Sequence, residues 1–339
     1  MTESKSITEK PESGCSILII DDSVETIRLL RGMLRDLGRS CGSTALALSM
    51  HTHQVAIPAW RWKHQKAAAV EPLLKRIAGE RIQLLTSGGS DWIAGSGKAE
   101  KVVGGYRINA RKIFTSGAPT GDILMTGAVL ESPGEPPMVL HFGVPMNSPH
   151  VKVLDTWRTL GMRGTGSHDV QIEGVFIPDS AVSGQREPGK WHPLFHLISM
   201  IAFPLIYSVY AGVADRAREI ALELAAKRAN DDTFIAVGEL ENAHAAMELA
   251  LDALVETGSI ATPTPATTAR VMTLRALAGR SAIEVGTKAL EAAGGAGFYT
   301  AAGLERRFRD LQAARFHPLQ DRQQQRFAGR FALGADIDG

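Results

Sequence analysis

The sequence predicts an α+β fold in three parts: a shortened N-terminal helical segment, a middle β-barrel and a C-terminal four-helix bundle. Three observations carry this. Apolar residues recur at helical spacing before about residue 80, alternate at strand spacing over 81–188, and return to helical spacing over 189–339. Clusters of Gly and Pro separate the alternating runs. No internal repeat or low-complexity tract suggests a different architecture.

Residues 1–14, "MTESKSITEKPESG", are polar and lack the apolar stretch of a secretory signal, so a disordered leader is expected there. The helical segment spans 15–80. Within it Val24, Ile27, Leu30, Leu34 and Leu37 share one helical face, with Arg28, Arg31 and Arg35 turned away. Gly38 is expected to stop that helix, and Ser43 to cap the next one, which starts at "STALALSMH". Residues 65–79 read as a further helix, with Pro72 in its first turn. "YRINARKIF", "DILMTGAVLE", "PPMVLHFGVP", "VKVLDTW" and "VQIEGVFIPDS" then alternate as strands. "SDWIAGSGKAE" is Gly-rich but lacks the phosphate-loop pattern, and is expected to be a barrel loop near the substrate entrance. In the bundle, Leu240, Ala243, Met247, Leu251 and Leu254 line one face, and Leu274, Leu277, Ser281, Val285 and Ala289 another; 262–268 joins the two helices.

Composition narrows the function classes. A net charge of +1 over 339 residues argues against nucleic acid as the main partner, because phosphate binding needs a basic face. Two cysteines, Cys15 and Cys41, exclude a disulfide framework and point to a reducing, cytoplasmic setting. The best membrane-span candidate, 194–214, is cut by Pro204 and carries His196, so no membrane partner is expected.

The stretch "SILIIDDSVETIRLLRGMLRDLG" (16–38) begins like the phosphoacceptor domain of a response regulator, with Asp21 and Asp22 placed to bind Mg²⁺. Such a domain needs five strands, and the pattern is lost after Gly38; a lone parallel strand cannot bury itself. Two readings remain: a packing helix that precedes "GSTALALSMH", or a receiver-like start that replaced the usual first helices.

The strings "GSTALALSMH", "LLTSGGSD", "GGYRINARKIFTSG", "LGMRGTGSHDVQIEGVFIP" and "ALEAAGGAGFY…LERRFRD", in this order over about 30–331, resemble the acyl-CoA dehydrogenase superfamily. The resemblance implies a flavin, FAD or FMN, held between barrel and bundle, with an apolar wall and a few donors at its polar edge. Carried over position by position, Leu85 and Thr86 match the strand-end pair at the flavin ring. Phe114 matches the aromatic covering one ring face, Ser116 the hydroxyl near the reactive nitrogen, and Ser90 a serine near the substrate carrier. Arg228, Gly294 and Gly295 match the adenine-side signature, in which Glu291 replaces a glutamine and would repel a pyrophosphate.

The family's dehydrogenation needs a glutamate base for the α-proton. Pro318 occupies its usual position and Ile201 its alternative one. One branch of the superfamily, the reduced-flavin-dependent monooxygenases, lacks this glutamate and places histidines by the flavin. That branch matches His317, beside Pro318, and His51, at the end of "ALALSMH". His51 and His53, two apart on a helix, make a poor metal pair. The expected activity is therefore a flavin-dependent oxidoreductase acting on the CH–CH group of an acyl thioester, or alternatively a monooxygenase of a small organic molecule, or a non-catalytic remnant. The resemblance implies a flavin reductase or an electron-transfer flavoprotein as partner, and a homotetramer or dimer.

Overall fold

The computed structural model describes residues 24–87 and 92–338. Asp21, Asp22, Cys15, the leader and Ser90 lie outside the described residues.

Three helices come first: α1 (Val24–Ser40), α2 (Gly42–His64) and α3 (Glu71–Glu80), the last carrying Pro72 in its first turn as expected. Gly38 does not stop α1. A side chain there would meet the Val209 carbonyl oxygen at 2.6 Å, so the glycine lets α1 press against a later helix. Nor does Ser43 cap α2. Cys41 holds the cap position, and Ser43 Oγ instead accepts a hydrogen bond from the Gly164 N–H at 3.2 Å. The arginines of α1 also depart from expectation. Arg31 and Arg35 reach across to acids of two later helices, Arg31 to Asp252 and Arg35 to Asp215 and Glu248.

The middle part is one sheet of eight strands: β1 (Leu84–Thr86), β2 (Lys98–Val102), β3 (Gly105–Lys112), β4 (Ile123–Leu130), β5 (Met138–Pro145), β6 (Val151–Val153), β7 (Val170–Pro178) and β8 (Gly184–Arg186). The order is β6-β7-β3-β2-β4-β5-β8, with β1 parallel to β4. Among the described residues β6 and β8 do not pair, so the sheet wraps its core without closing as the expected barrel would. Alternation explains the strands. In β3 Ile108 and Ala110 face inward between exposed Arg107, Asn109 and Arg111, and they meet Leu124, Leu140, Phe142 and Ile172 in one core.

The last part holds three long helices, α4 (Pro193–Ala225), α5 (Asp231–Ile260) and α6 (Pro265–Ala293), and two short ones, α7 (Leu304–Leu311) and α8 (Asp321–Ala332). Helix α1 packs on α4 and so joins the bundle. Helix α4 is apolar on nearly every side because α1, α2, α5 and α6 all pack on it. It is long and apolar enough to cross a bilayer, but 89% of that window is buried inside the protein, as expected of a core helix. Leu240, Met247, Leu251 and Leu254 of α5 are buried together as their spacing predicts. In α6 the buried side is broader and rotated: Val271, Ala278, Ala282 and Val285 pack inward while Leu277 is half-exposed. The connection between α5 and α6 is shorter than predicted, because Thr264 already caps α6 by accepting from the Thr267 N–H.

Candidate functional site

A cavity of about 310 Å³ lies where α2, the sheet and α4 meet, with the 313–318 segment closing one side. Each wall follows from local structure. The sheet contributes Thr86 at the end of β1, Met125 and Thr126 of β4, and Val139, His141 and Phe142 of β5. Helix α2 offers Leu46, Met50, His53 and Gln54, and α4 offers Leu194, Phe195, Ile198, Phe203, Ile206 and Tyr210. The turn at 92–95 brings Trp92 and Gly95. Arg186 pins that loop. Its Nη2 donates to the Trp92 carbonyl at 2.8 Å and its Nη1 to the Ile93 carbonyl at 2.5 Å, while the guanidinium lies over the Phe195 ring.

Phe114 has φ +56°, a left-handed backbone that costs a bulky residue energy and recurs at functional sites. The turn projects its ring half-exposed into the cavity mouth, edge-on to Trp157 with centroids 5.9 Å apart. The Trp157 indole is fixed by donating to the Met162 carbonyl at 3.0 Å. Beside them runs a chain of hydroxyls: Thr165 Oγ1 lies 2.6 Å from Ser167 Oγ, which lies 2.8 Å from Ser116 Oγ. A second pair, Ser87 and Thr126, is 2.8 Å apart.

Two imidazoles complete the site. The His317 Nε2 sits 2.6 Å from the Tyr210 hydroxyl, and the His317 Nδ1 has no partner among the described residues. Burial, the Arg275 charge and His53 push the His317 pKa from 6.5 down to about 3. The His53 Nδ1 lies 3.0 Å from the Ser49 carbonyl, which can only accept, so Nδ1 carries the proton. Burial lowers the His53 pKa to about 4, against that hydrogen bond. Both rings are therefore neutral at pH 7.

The predicted residues divide clearly. Thr86, Phe114, Ser116 and His317 converge on the cavity. Leu85 does not line it with its side chain, which is buried in the sheet core and leaves only its backbone for the site. His51 does not line it either. Its Nδ1 accepts from the Leu84 N–H at 3.0 Å and ties β1 to α2. Residues two apart on a helix face about 200° apart, so only one of His51 and His53 can turn inward, and it is His53. Arg228 and Gly294 meet each other away from this cavity: Arg228 Nη2 donates to the Ala292 carbonyl at 2.5 Å across Gly294, whose φ is +56°. Gly295 has open space around it. Glu291, expected to repel a phosphate, is paired with Lys288 at 2.8 Å. Pro318 lines the cavity where the glutamate base was sought, and no carboxylate lies among the described lining residues. His53, Tyr210, Trp157 and Trp92 went unassigned in the sequence; for His53 the signal was its position on the same helix as His51.

An isoalloxazine ring fits these walls: aromatic and aliphatic faces and two sets of hydroxyls, with no carboxylate among the described lining residues.

The acyl-CoA dehydrogenase middle-domain family matches residues 86–175, and the acyl-CoA dehydrogenase C-terminal-domain family matches residues 200–322. The chain is 27% identical to a pigment production hydroxylase of Rhodococcus sp. (strain ATCC 21145), over 85% of this chain and 77% of the relative. It is 26% identical to the amino sugar nitrososynthase DnmZ of Streptomyces peucetius, over 89% and 78%. Among solved structures, KijD3 in complex with FMN and a dTDP-linked amino keto sugar superposes with a TM-score of 0.83 at 23% identity, covering 92% of this chain and 81% of that one. The chain belongs to the acyl-CoA dehydrogenase superfamily, and it is a flavin-dependent enzyme of the oxidoreductase class.

Proposed function

We propose that this enzyme is a reduced-flavin-dependent monooxygenase acting on a small, largely apolar molecule. The observation that carries this reading is the pairing of His317 with Tyr210 beside Pro318, where a dehydrogenase would hold its carboxylate base. Removing an α-proton from an acyl thioester needs an acceptor of suitable basicity in the cavity. Among the described lining residues no carboxylate is present, and burial holds His53 and His317 at lowered pKa values, about 4 and about 3, which makes both weak bases. That weighs against the acyl-thioester reading.

When bound, reduced flavin supplies the two electrons with which dioxygen gives one oxygen atom to the substrate and the other to water. The protein's own residues do the rest. Phe114, Trp157 and Met162 form an apolar wall that excludes water from the ring face. The Ser116–Ser167–Thr165 hydroxyls present donors at the polar edge. Tyr210 holds the His317 ring through Nε2, which leaves Nδ1 to hold or move a proton at the reacting oxygen. Trp92, Phe195 and Phe203, with ring centroids 5.1 and 6.2 Å from Trp92, offer flat apolar surface for the substrate.

A separate flavin reductase is the partner this reading implies, in a cytoplasmic setting. Association of several copies also fits, because Phe234, Ile235, Leu249 and Ile260 leave exposed apolar surface on α5. Whether the flavin is FAD or FMN is read from which of the two, once reduced, binds more tightly.

The test uses the full chain with photoreduced flavin, mixed with oxygenated buffer. Peroxide release slower than from free flavin, and faster again in His317→Asn, is the expected result. Anaerobic bleaching of bound oxidised flavin by octanoyl-CoA would overturn the proposal in favour of dehydrogenation.

A further inference from the structure

Behind the His317–Tyr210 pair lies a second cavity, of about 260 Å³, lined on one side by α6 and on the other by the 314–321 segment. Its wall contains Arg275, which is 1% exposed. A guanidinium stays charged, and a buried charge is ordinarily paired with an opposite one. Arg275 forms no ion pair among the described residues. Its Nη1 donates to the Tyr207 hydroxyl at 2.7 Å and to the His317 carbonyl at 3.3 Å, both uncharged acceptors. Its Nε and Nη2 have no acceptor among the described residues. Buried donors of this kind are rare, and a charged one more so.

The same cavity is lined by two further arginines, Arg280 and Arg315, against two acids, Glu284 and Asp321. Asp321 already faces Arg280 at 3.5 Å. The lining thus carries one more positive than negative group, and the uncompensated one is the most buried. Gly279 keeps space beside Tyr207: a side chain there would meet the Tyr207 ring at 2.8 Å. Nothing in the flavin reading uses this cavity, because Arg275, Arg280 and Arg315 do not line the first one.

We propose that this second cavity is a binding site for a small phosphate-type oxyanion, which supplies the missing acceptor for Arg275 with Arg315 and Arg280 at the rim. The planar fork of arginine matches tetrahedral oxyanions, and the volume accommodates one phosphate group. The ligand is either inorganic phosphate or the phosphate of a small monoester. Because one guanidinium holds both Tyr207 and the His317 carbonyl, the occupant sits within one side chain of the flavin site.

The test is calorimetric titration of the full chain, without flavin, against inorganic phosphate and separately against glycerol 2-phosphate. Sodium chloride at matched ionic strength is the control. One saturable site per chain is expected, with affinity falling about tenfold or more in Arg275→Gln and several-fold in Arg315→Gln. Arg315 is exposed, so that variant tests the site even where Arg275→Gln fails to fold. Tighter phosphate binding identifies a free anion, and tighter monoester binding identifies a larger phosphorylated ligand; both support the site. Absence of saturable binding by either anion, or unchanged binding in Arg315→Gln and Arg280→Gln together, overturns it. Such a failure leaves the flavin reading untouched, since no flavin is present in the titration.

Discussion

The Tyr210 hydroxyl lies 2.6 Å from His317 Nε2, joining the middle of α4 to the segment between α7 and α8. Tyr210 is fully buried and its own pKa is raised well above 10, by burial, Tyr207 and Asp310, so it stays a neutral partner. Replacing Tyr210 with Phe keeps the ring packed and removes only this bond. Stability should fall by about 1 kcal/mol, the net worth of one buried hydrogen bond. Loss of the anchor should speed peroxide release from reduced flavin, measured by stopped flow, while flavin affinity stays the same. An unaltered release rate would remove Tyr210 from the mechanism.

The depressed histidines make stability depend on pH with a definite sign. Both titrate near 6.5 when unfolded, but at about 4 (His53) and about 3 (His317) when folded. The unfolded chain therefore takes up protons first. Their contribution is full above pH 6.5 and is lost as the pH falls toward 4 and then 3. One unit below 6.5 each ring costs about 1.4 kcal/mol, so roughly 3 kcal/mol should be missing at pH 5.5 relative to pH 8. Urea melts at the two pH values measure this, and His53→Gln should remove about half of the difference.

The strands were legible because one face of each is buried, which imposes period two on sequences such as 105–112. The long helices were legible for the analogous reason, but their orientations were less so. Helix α6 packs against both α4 and α5, so its buried surface is wider than one stripe, and Leu277 appeared inward while it is half-exposed. Glycine has two opposite uses at a helix. Gly38 was read as a stop, but its missing side chain serves the contact with Val209. The site was partly legible, through residues at strand ends and turns such as Thr86 and Phe114. Arg275 was not, because an arginine on an otherwise apolar helix reads as solvated, and only the packing of α6 on α4 buries it.

Phe114 should separate binding from folding. Its left-handed backbone is one glycine adopts without strain, so Phe114→Gly relieves local cost while deleting the ring at the cavity mouth. The half-exposed ring contributes little to the core. Unfolding free energy should change by less than about 1 kcal/mol, while flavin affinity should drop about tenfold, as expected when an aromatic wall is lost. Flavin fluorescence quenching reads the second quantity. Equal affinity in the variant would place the ring face elsewhere.

Away from the cavity, Asp215, His244 and Glu248 bring ligand atoms within 4.8 Å of one another, a grouping that resembles a metal site. Arg35 already serves as its cation: Nε bonds Asp215 at 2.7 Å, Nη1 bonds Glu248 at 3.1 Å, and Nη2 reaches both acids. Burial would raise the Asp215 pKa, but hydrogen bonds from His244 and Arg35 more than offset it and hold the carboxylate below its usual range. Arg35→Ala leaves two acids facing each other, one of them 7% exposed, and should destabilise the protein by about 3 kcal/mol. Zinc tests the cause. It should leave the melting temperature of the native protein unchanged, because the guanidinium holds the ligands. It should partly restore that of Arg35→Ala, where one imidazole and two carboxylates become available to the metal. Stabilisation of the native protein by zinc would mean that Arg35 does not close the site.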